Sequence, residues 1–356
     1  MSKFLSTKYT GLAPYTPGEQ PKERKFVKLN TNESPFPPSK KAIDAARAEA
    51  ERLMLYSDPE CRDLVSKMAE VYGVDKSEVI LTNGSDEVLN FAFMAYCDEN
   101  NPAVFADITY GFYKVFAELN RIAAKIIPLK EDFTIDVSDY IKTDGTVFIA
   151  NPNAPTGILL PLSDIEKLLK SNPDRIVVID EAYIDFGGES AIPLIKKYPN
   201  LLVTGTFSKS RSMAGARLGF GIASSEIIND LTRIRYSTNP YNVNRMTMAA
   251  GIGALSDEKY FNDNCKKIIE NREWTERALT ALGFEFLPSM ANFIFAKSDR
   301  IDGKALYLAL KDKGILVRHF DADRISDFNR ITIGSSEEMQ TLIDKIKEIL
   351  EENENC

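Results

Sequence analysis

The sequence predicts an α/β protein: a large domain on a mostly parallel central sheet covered by helices, plus a smaller α+β domain. Three observations carry this. The chain has 356 residues, more than one small core needs. Its middle alternates continuous apolar runs with helical patterns, as strands buried on both faces of a parallel sheet require. After about residue 245 the rhythm changes to short strands set between helices.

The first forty residues are rich in Pro, Asn, Thr and Gly, without helical periodicity, and read as an extended arm lying on the rest of the fold. From Ser39 the run AIDAARAEAERLML is full of good helix formers. VILT (Val79 to Thr82) is a strand and DEVLNFAFMAYC the helix after it; AVFAD (Ala103 to Asp107) is another strand, followed by the helix YKVFAELN. AAKIIPL, TVFIA, RIVVID, LLVTGTF and RLGFGIA continue the sheet, with LSDIEKLLKS and SEIINDLTRIR as helices. A long helical stretch runs from about 245 to Ala281, and FEFLP, ANFIFAK, ILVRHF and RITIG then lie between the helices KALYLALKDKG and EEMQTLIDKIKEILEE. The expected division is an arm over 1–38 that packs with the small domain, a large domain over 39–265 and a small domain over 266–356. Sites in such sheets gather at the carboxyl ends of the strands.

Composition narrows the function. Forty-four Lys and Arg against 52 Asp and Glu leave a net charge of -8, which does not attract a nucleic-acid backbone. His319 is the only histidine, so a His-based metal site is excluded and acid–base work falls to Lys, Tyr, carboxylates or a cofactor. Cys61, Cys97, Cys265 and Cys356 form no C-x-x-C pair. No secretory signal and no bilayer-length apolar run is visible, so a reducing cytoplasm with free thiols is expected.

The strand ends carry the chemistry. LLVTGTF delivers Thr206, Ser208 and Lys209, with Arg217 eight residues on. A lysine in a Ser-rich loop is ordinarily a surface residue. Here Thr206, Ser208 and Arg217 make a phosphate cradle around an amine able to form a Schiff base. RIVVID ends in Asp180, a carboxylate at the mouth of a buried strand, suited to hold a pyridinium nitrogen protonated, and Tyr183 follows in reach of a ring hydroxyl. Gly84, Ser85 and Asp86 open a helix after VILT, where free N–H groups favour a phosphate. Tyr110 lies just past AVFAD, placed to stack on a planar ring, and NPNAPTG is a turn after TVFIA. His319 and the cysteines read as structural.

These segments together resemble the aspartate-aminotransferase-like, pyridoxal-phosphate-dependent enzymes. The lysine block TFSKSRSMAGARLGF and DEAY carry the superfamily likeness; LAPYTPG and LNTNESPF are most similar to the histidinol-phosphate aminotransferase branch. The resemblance covers nearly the whole chain and implies an aspartate-aminotransferase-like fold with pyridoxal 5'-phosphate as cofactor. It implies Lys209 as the Schiff-base lysine, Asp180 as partner of the ring nitrogen and Tyr183 as partner of the ring hydroxyl. The phosphate cup would be Ser208, Arg217, Thr206 and the Gly84-Ser85-Asp86 turn, with Tyr110 stacking on the ring. Tyr56, in YSDPE, would reach the cofactor phosphate of a second subunit, implying a homodimer with shared active sites. Arg330, in NRITIG, would bind the substrate carboxylate, and Tyr15 and Arg318 would line the substrate pocket.

One position departs from the family pattern. The usual Asn before Pro-Thr-Gly is Ala154 here, so either Asn153 bonds the ring hydroxyl from one residue earlier or Tyr183 holds it with less help. The activity implied is transfer of an amino group between L-histidinol phosphate and 2-oxoglutarate, in histidine biosynthesis. Rivals on the same scaffold are a threonine-phosphate decarboxylase of cobalamin synthesis and an aromatic or broad-range aminotransferase. A cofactor-binding transcription regulator would need a DNA-binding segment, which is not seen before the arm. Expected partners are small molecules and a second copy of the chain, with no nucleic acid and no membrane.

Overall fold

A computed structural model of the chain describes residues 2–354; Cys356 lies outside them. The arm holds a short 3-10 turn, Thr7–Tyr9, and the strand β1 (Val27–Lys28). Helices α1 (Lys40–Ala50) and α2 (Arg62–Tyr72) follow. The chain then alternates β2 (Val79–Asn83), α3 (Ser85–Tyr96), β3 (Ala103–Ala106), α4 (Phe112–Asn120), β4 (Ala124–Ile127), α5 (Val137–Ile141), β5 (Thr146–Ala150), α6 (Leu162–Ser171) and β6 (Val177–Asp180). Next come β7 (Leu201–Thr206), β8 (Leu218–Ala223), α7 (Ser225–Thr238) and α8 (Arg245–Leu255). The last part holds α9 (Glu258–Ala281), β9 (Phe284–Phe286), β10 (Phe293–Ser298), α10 (Gly303–Asp312), β11 (Ile315–Leu316), β12 (Arg318–His319), β13 (Asn329–Thr332) and α11 (Ser336–Glu354).

Seven strands form the central sheet in the order β2-β8-β7-β6-β5-β3-β4. Only β8 runs antiparallel to its neighbours, β2 and β7; the other pairings are parallel. The reversal has a consequence for function. The carboxyl ends of β2, β3, β5, β6 and β7 and the amino end of β8 all meet at one edge, so Arg217, just before β8, arrives beside residues that follow the other strands.

Side chains alternate across the sheet. Val147, Ile149, Val177, Ile179, Leu201 and Val203 join the core under α2, α6 and α8, while Phe148, Val178 and Leu202 join the core under α3, α4 and α7. Each such fully buried apolar side chain contributes roughly 1.5–3 kcal/mol, which is why these strands read as unbroken apolar runs.

The smaller domain has an antiparallel sheet, β12-β13-β10-β9, packed against α9, α10 and α11. β1 of the arm pairs in parallel with β11, and Leu29 accepts from the Thr332 N–H. Glu19 fastens the earlier part of the arm by accepting from Tyr307 and Lys311 of α10.

Two local features differ from expectation. The helical stretch from about 245 is two helices, broken at Ser256 and Asp257, where the Ser256 hydroxyl turns back to the Ile252 carbonyl at 2.8 Å. The second of these, α9, runs through the boundary expected between 265 and 266. Helix α2, in a segment quoted only as YSDPECRDL, buries Leu64 and Met68 and stops at Gly73, whose φ of 66° suits glycine. Among the described residues no helix is long and apolar enough to cross a membrane.

Candidate active site

At the shared edge lies a cavity of about 680 Å³, walled by the strand ends on one side and by the arm and the smaller domain on the other. Of the residues singled out from sequence, Tyr15, Ser85, Asp86, Tyr110, Asp180, Tyr183, Thr206, Ser208, Lys209, Arg217, Arg318 and Arg330 all line it.

Lys209 follows β7 and points its Nζ at the Thr31 carbonyl, 3.2 Å away, with the Tyr183 ring centroid at 5.8 Å. Enclosure by protein, with a smaller push from Arg330, lowers its ammonium pKa to about 8. At that value a substantial fraction of the amine is neutral near pH 7–8 and nucleophilic.

Asp180 ends β6 and is buried. Its Oδ1 accepts from the Thr204 hydroxyl and its Oδ2 from the Tyr113 hydroxyl, both at 3.2 Å. Burial raises its pKa to about 6 despite these bonds. A carboxylate placed so is stabilised by any cation brought to the cavity floor.

The anion end is built from three elements. Helix α3 presents first-turn N–H groups that have no intrahelical acceptor, at the positive end of its dipole. Ser208 N–H donates to Thr206 Oγ1 at 3.1 Å, and the Thr206 hydroxyl donates to Ser208 Oγ at 2.9 Å. Arg217 pairs with Asp86 at 3.1 Å. Asp86 also accepts from the Tyr110 hydroxyl at 2.6 Å, so its side chain orders Arg217 and Tyr110 while its N–H belongs to the helix start. Glycine is required here twice. A Cβ on Gly84 would lie 2.4 Å from Arg217 Nη2, and one on Gly219 would lie 2.2 Å from the Gly84 carbonyl carbon. Both glycines leave the helix start open.

At the far end stand two guanidinium groups. Arg330 donates to the Asn30 carbonyl at 2.9 Å, and its buried Nε has no partner among the described residues. Arg318 donates to the Thr16 and Pro17 carbonyls at 3.2 and 3.4 Å. Among the described residues neither is ion-paired to a carboxylate. Tyr15, from the arm, stacks on Phe112 at 4.2 Å between ring centroids. Burial raises its phenol pKa, against the pull of Arg330 and Arg318.

Two residues lie elsewhere. Asn153, expected as one possible partner of a ring hydroxyl, does not face the cavity. Its Oδ1 accepts from Thr109, and its Nδ2 donates to the Ile108 carbonyl and Thr156 Oγ1, which commits the amide to the turn. Ala154 and Pro155 line the cavity in its place. Tyr56 is 80% exposed, stacks on Tyr241 at 4.6 Å and does not line the cavity of its own chain.

Sequence reasoning missed Tyr113, Thr204 and Asn32. Tyr113 lies one helical turn from Tyr110, Thr204 lies two before Thr206 on β7, and the buried Asn32 amide donates to the Tyr183 hydroxyl at 3.0 Å. The spacing of the first two was a usable signal. The third pairing spans 151 residues and had none.

Comparison with known proteins identifies the family. The family model for aminotransferase class I and II matches residues 24–346. A histidinol-phosphate aminotransferase of Brachyspira hyodysenteriae is 50% identical over 98% of this chain and 99% of its own length. One from Clostridium acetobutylicum is 48% identical over 98% of this chain and 100% of its own. Among solved structures, a histidinol-phosphate aminotransferase of Sinorhizobium meliloti in complex with pyridoxal-5'-phosphate shares the fold, with a TM-score of 0.88 at 24% identity over 99% of this chain and 100% of that one. A putative histidinol-phosphate aminotransferase of Erwinia carotovora atroseptica gives a TM-score of 0.86 at 27% identity over 92% of this chain and 96% of that one. The fold is thus aspartate-aminotransferase-like, and the chain belongs to the class I and II aminotransferases, within them to the histidinol-phosphate aminotransferase family.

Proposed function

We propose that this chain transfers an amino group between L-histidinol phosphate and 2-oxoglutarate, giving imidazole acetol phosphate and L-glutamate, with pyridoxal 5'-phosphate as cofactor. The observation that carries the reading is the content of one cavity: a lysine amine held near pKa 8, a buried carboxylate, an anion cradle and two guanidinium groups without carboxylate partners.

The residues fit the cofactor. Lys209 would hold it covalently, Asp180 would face its ring nitrogen, Tyr183 its ring hydroxyl and Tyr110 its ring. The Gly84-Ser85-Asp86 turn, Thr206, Ser208 and Arg217 would hold its phosphate, where the glycines leave room and the first-turn N–H groups need acceptors. When bound, pyridoxal phosphate supplies an electron sink for the carbanion at the substrate α-carbon. Asp180 would keep the ring nitrogen protonated. Lys209 Nζ, as the neutral amine, would take the proton from the substrate α-carbon and hold it. The Thr31 carbonyl is positioned to receive the lysine Nζ–H while the amine waits. Arg330 and Arg318 hold the anionic group of either substrate, because guanidinium forks fit carboxylate and phosphate alike.

The surface supports assembly with a second copy of the chain. Leu53, Met54, Leu55 and Tyr56 are all more than half exposed, with Met54 and Tyr56 at 80%. An apolar run of this kind calls for a partner, and a second copy of the chain would cover it while bringing Tyr56 to the partner's cofactor phosphate. Cys61, Cys97 and Cys265 are buried free thiols whose pKa values burial raises, to about 11, 12 and 12. A reducing cytoplasm suits them.

Three outcomes are expected. Arg318→Ala should weaken turnover of histidinol phosphate more than that of glutamate, whereas Arg330→Ala should weaken both. Each lost charge-assisted bond costs roughly 1.5–3 kcal/mol, about ten- to hundredfold in efficiency. Single-turnover rates with each substrate measure this, and equal losses in Arg318→Ala would remove it from the phosphate site. Capture of added pyridoxal phosphate by cofactor-free protein depends on the neutral amine. Its rate should rise with pH, about tenfold per unit, and level off above about 8 rather than near the ordinary 10.5. In Arg330→Ala the levelling should move up, since a nearby positive charge has been removed. Finally, a mixture of inactive Tyr56→Ala and Lys209→Ala proteins should regain activity after subunit exchange, since one site per mixed dimer carries neither lesion. No recovery after proven exchange would argue against shared sites.

A further inference from the structure

We propose that Asn32, in the arm, is a positioning residue that aims the Tyr183 hydroxyl proton at the cofactor's ring oxygen, serving from a distant segment where Ala154 supplies no amide. The inference rests on the reading of this cavity as the pyridoxal-phosphate site.

Asn32 is buried, with 1% of its surface exposed, and takes the left-handed backbone conformation, φ 55°, that Asn tolerates better than most residues. Four bonds hold the residue. Its N–H donates to Thr332 Oγ1 at 2.9 Å, and the Thr332 hydroxyl donates back to Asn32 Oδ1 at 3.0 Å. Its carbonyl accepts from Asn292 Nδ2 at 3.0 Å, and its Nδ2 donates to the Tyr183 hydroxyl oxygen at 3.0 Å.

The direction of this network matters. Thr332 Oγ1 accepts the Asn32 N–H, which leaves the threonine proton for Oδ1 and turns the amide nitrogen toward Tyr183. A phenol whose oxygen already accepts a bond keeps its own proton for another acceptor. Tyr183 lines the cavity beside Lys209, so that proton faces the space the cofactor ring would fill. The amide also polarises the phenol. Burial raises the Tyr183 pKa, while Arg330 and the Asn32 amide pull against it. The ring is fixed on its other side by edge contact with Phe293, at 5.1 Å between centroids. The amide one residue from the usual place, Asn153, is spent on the turn and that of Asn151 on the Leu160 backbone, so no other side-chain amide of that segment is available.

A donor at the ring oxygen draws electron density from the cofactor. It thereby lowers the affinity for the proton held between Lys209 and the bound cofactor, and so lowers the pH midpoint of the visible absorption change. The charged groups around Tyr183 are Lys209, Arg330, Asp180 and Asp86, with the phenols of Tyr15, Tyr110 and Tyr113. All remain in place in the variants below.

The test is a spectroscopic pH titration of the cofactor-loaded protein. Asn32→Gly removes the amide while keeping a residue at ease at positive φ. Its midpoint should rise by roughly half a unit to one unit, the size of one lost hydrogen bond. In a Tyr183→Phe background the same substitution should add nothing, because the amide acts through the phenol. Thr332→Val, which releases Asn32 Oδ1, should give a smaller rise that also vanishes in that background, and it serves if Asn32→Gly does not fold. An unchanged midpoint in both variants, or an equal rise with and without the Tyr183 hydroxyl, overturns the inference. Absence of any cofactor absorption band in the unaltered protein would instead overturn the pyridoxal-phosphate reading, and this inference with it.

Discussion

A carboxylate buried at the end of a central strand constrains everything around it. Asp180 sits at the carboxyl end of β6, flanked by β5 and β7, with two hydroxyl donors and the Ala182 N–H, and burial pushes its pKa up to about 6. An isolated buried carboxylate costs several kcal/mol unless a cation or donor meets it. Thr204, Tyr113 and the Ala182 N–H satisfy part of that demand, and the rest is open to a cation in the cavity above. The sheet order places this acid at the centre of the edge where β7 delivers Lys209 and reversed β8 delivers Arg217. Acid, amine and anion cradle therefore stand in one place because of strand direction, not proximity in sequence.

The arm makes a single site from two domains. Residues 30–34 touch the smaller domain through the Asn30 carbonyl with Arg330, and through Asn32 with Thr332 and Asn292. The same residues touch the lysine loop through the Thr31 carbonyl with Lys209 and through Ser34 with Ser212, whose hydroxyls lie 2.8 Å apart. These bonds join the smaller domain and the lysine loop through one short stretch of the arm. The cavity also receives Tyr15 and Arg318 from the arm and the smaller domain, so its two ends share one support.

Much of this was legible from residue order. Unbroken apolar runs gave strands with both faces covered, and a polar residue closing such a run marked a strand end, which is how Asp180 and Lys209 emerged. What was not legible depends on side-chain direction or long-range register. Asn153 is the right residue type near the right place, yet the turn consumes its amide with Thr109, Ile108 and Thr156. Asn32 was visible only as part of LNTNESPF, since its role requires β13 and Tyr183 to meet it, 300 and 151 residues away. Tyr113 was visible only as the first residue of the helix YKVFAELN; it is fully buried, and its hydroxyl reaches Asp180. The reversed direction of β8 could not be seen, because parallel and antiparallel buried strands share the same apolar pattern.

The central claim is that one amine, Lys209, is the covalent anchor of the cofactor. Reduction of the cofactor-loaded protein with borohydride, followed by peptide mass mapping, tests it directly. A single stable pyridoxyl adduct on Lys209 is the predicted result. An adduct on any other lysine, or none at all, would contradict the account.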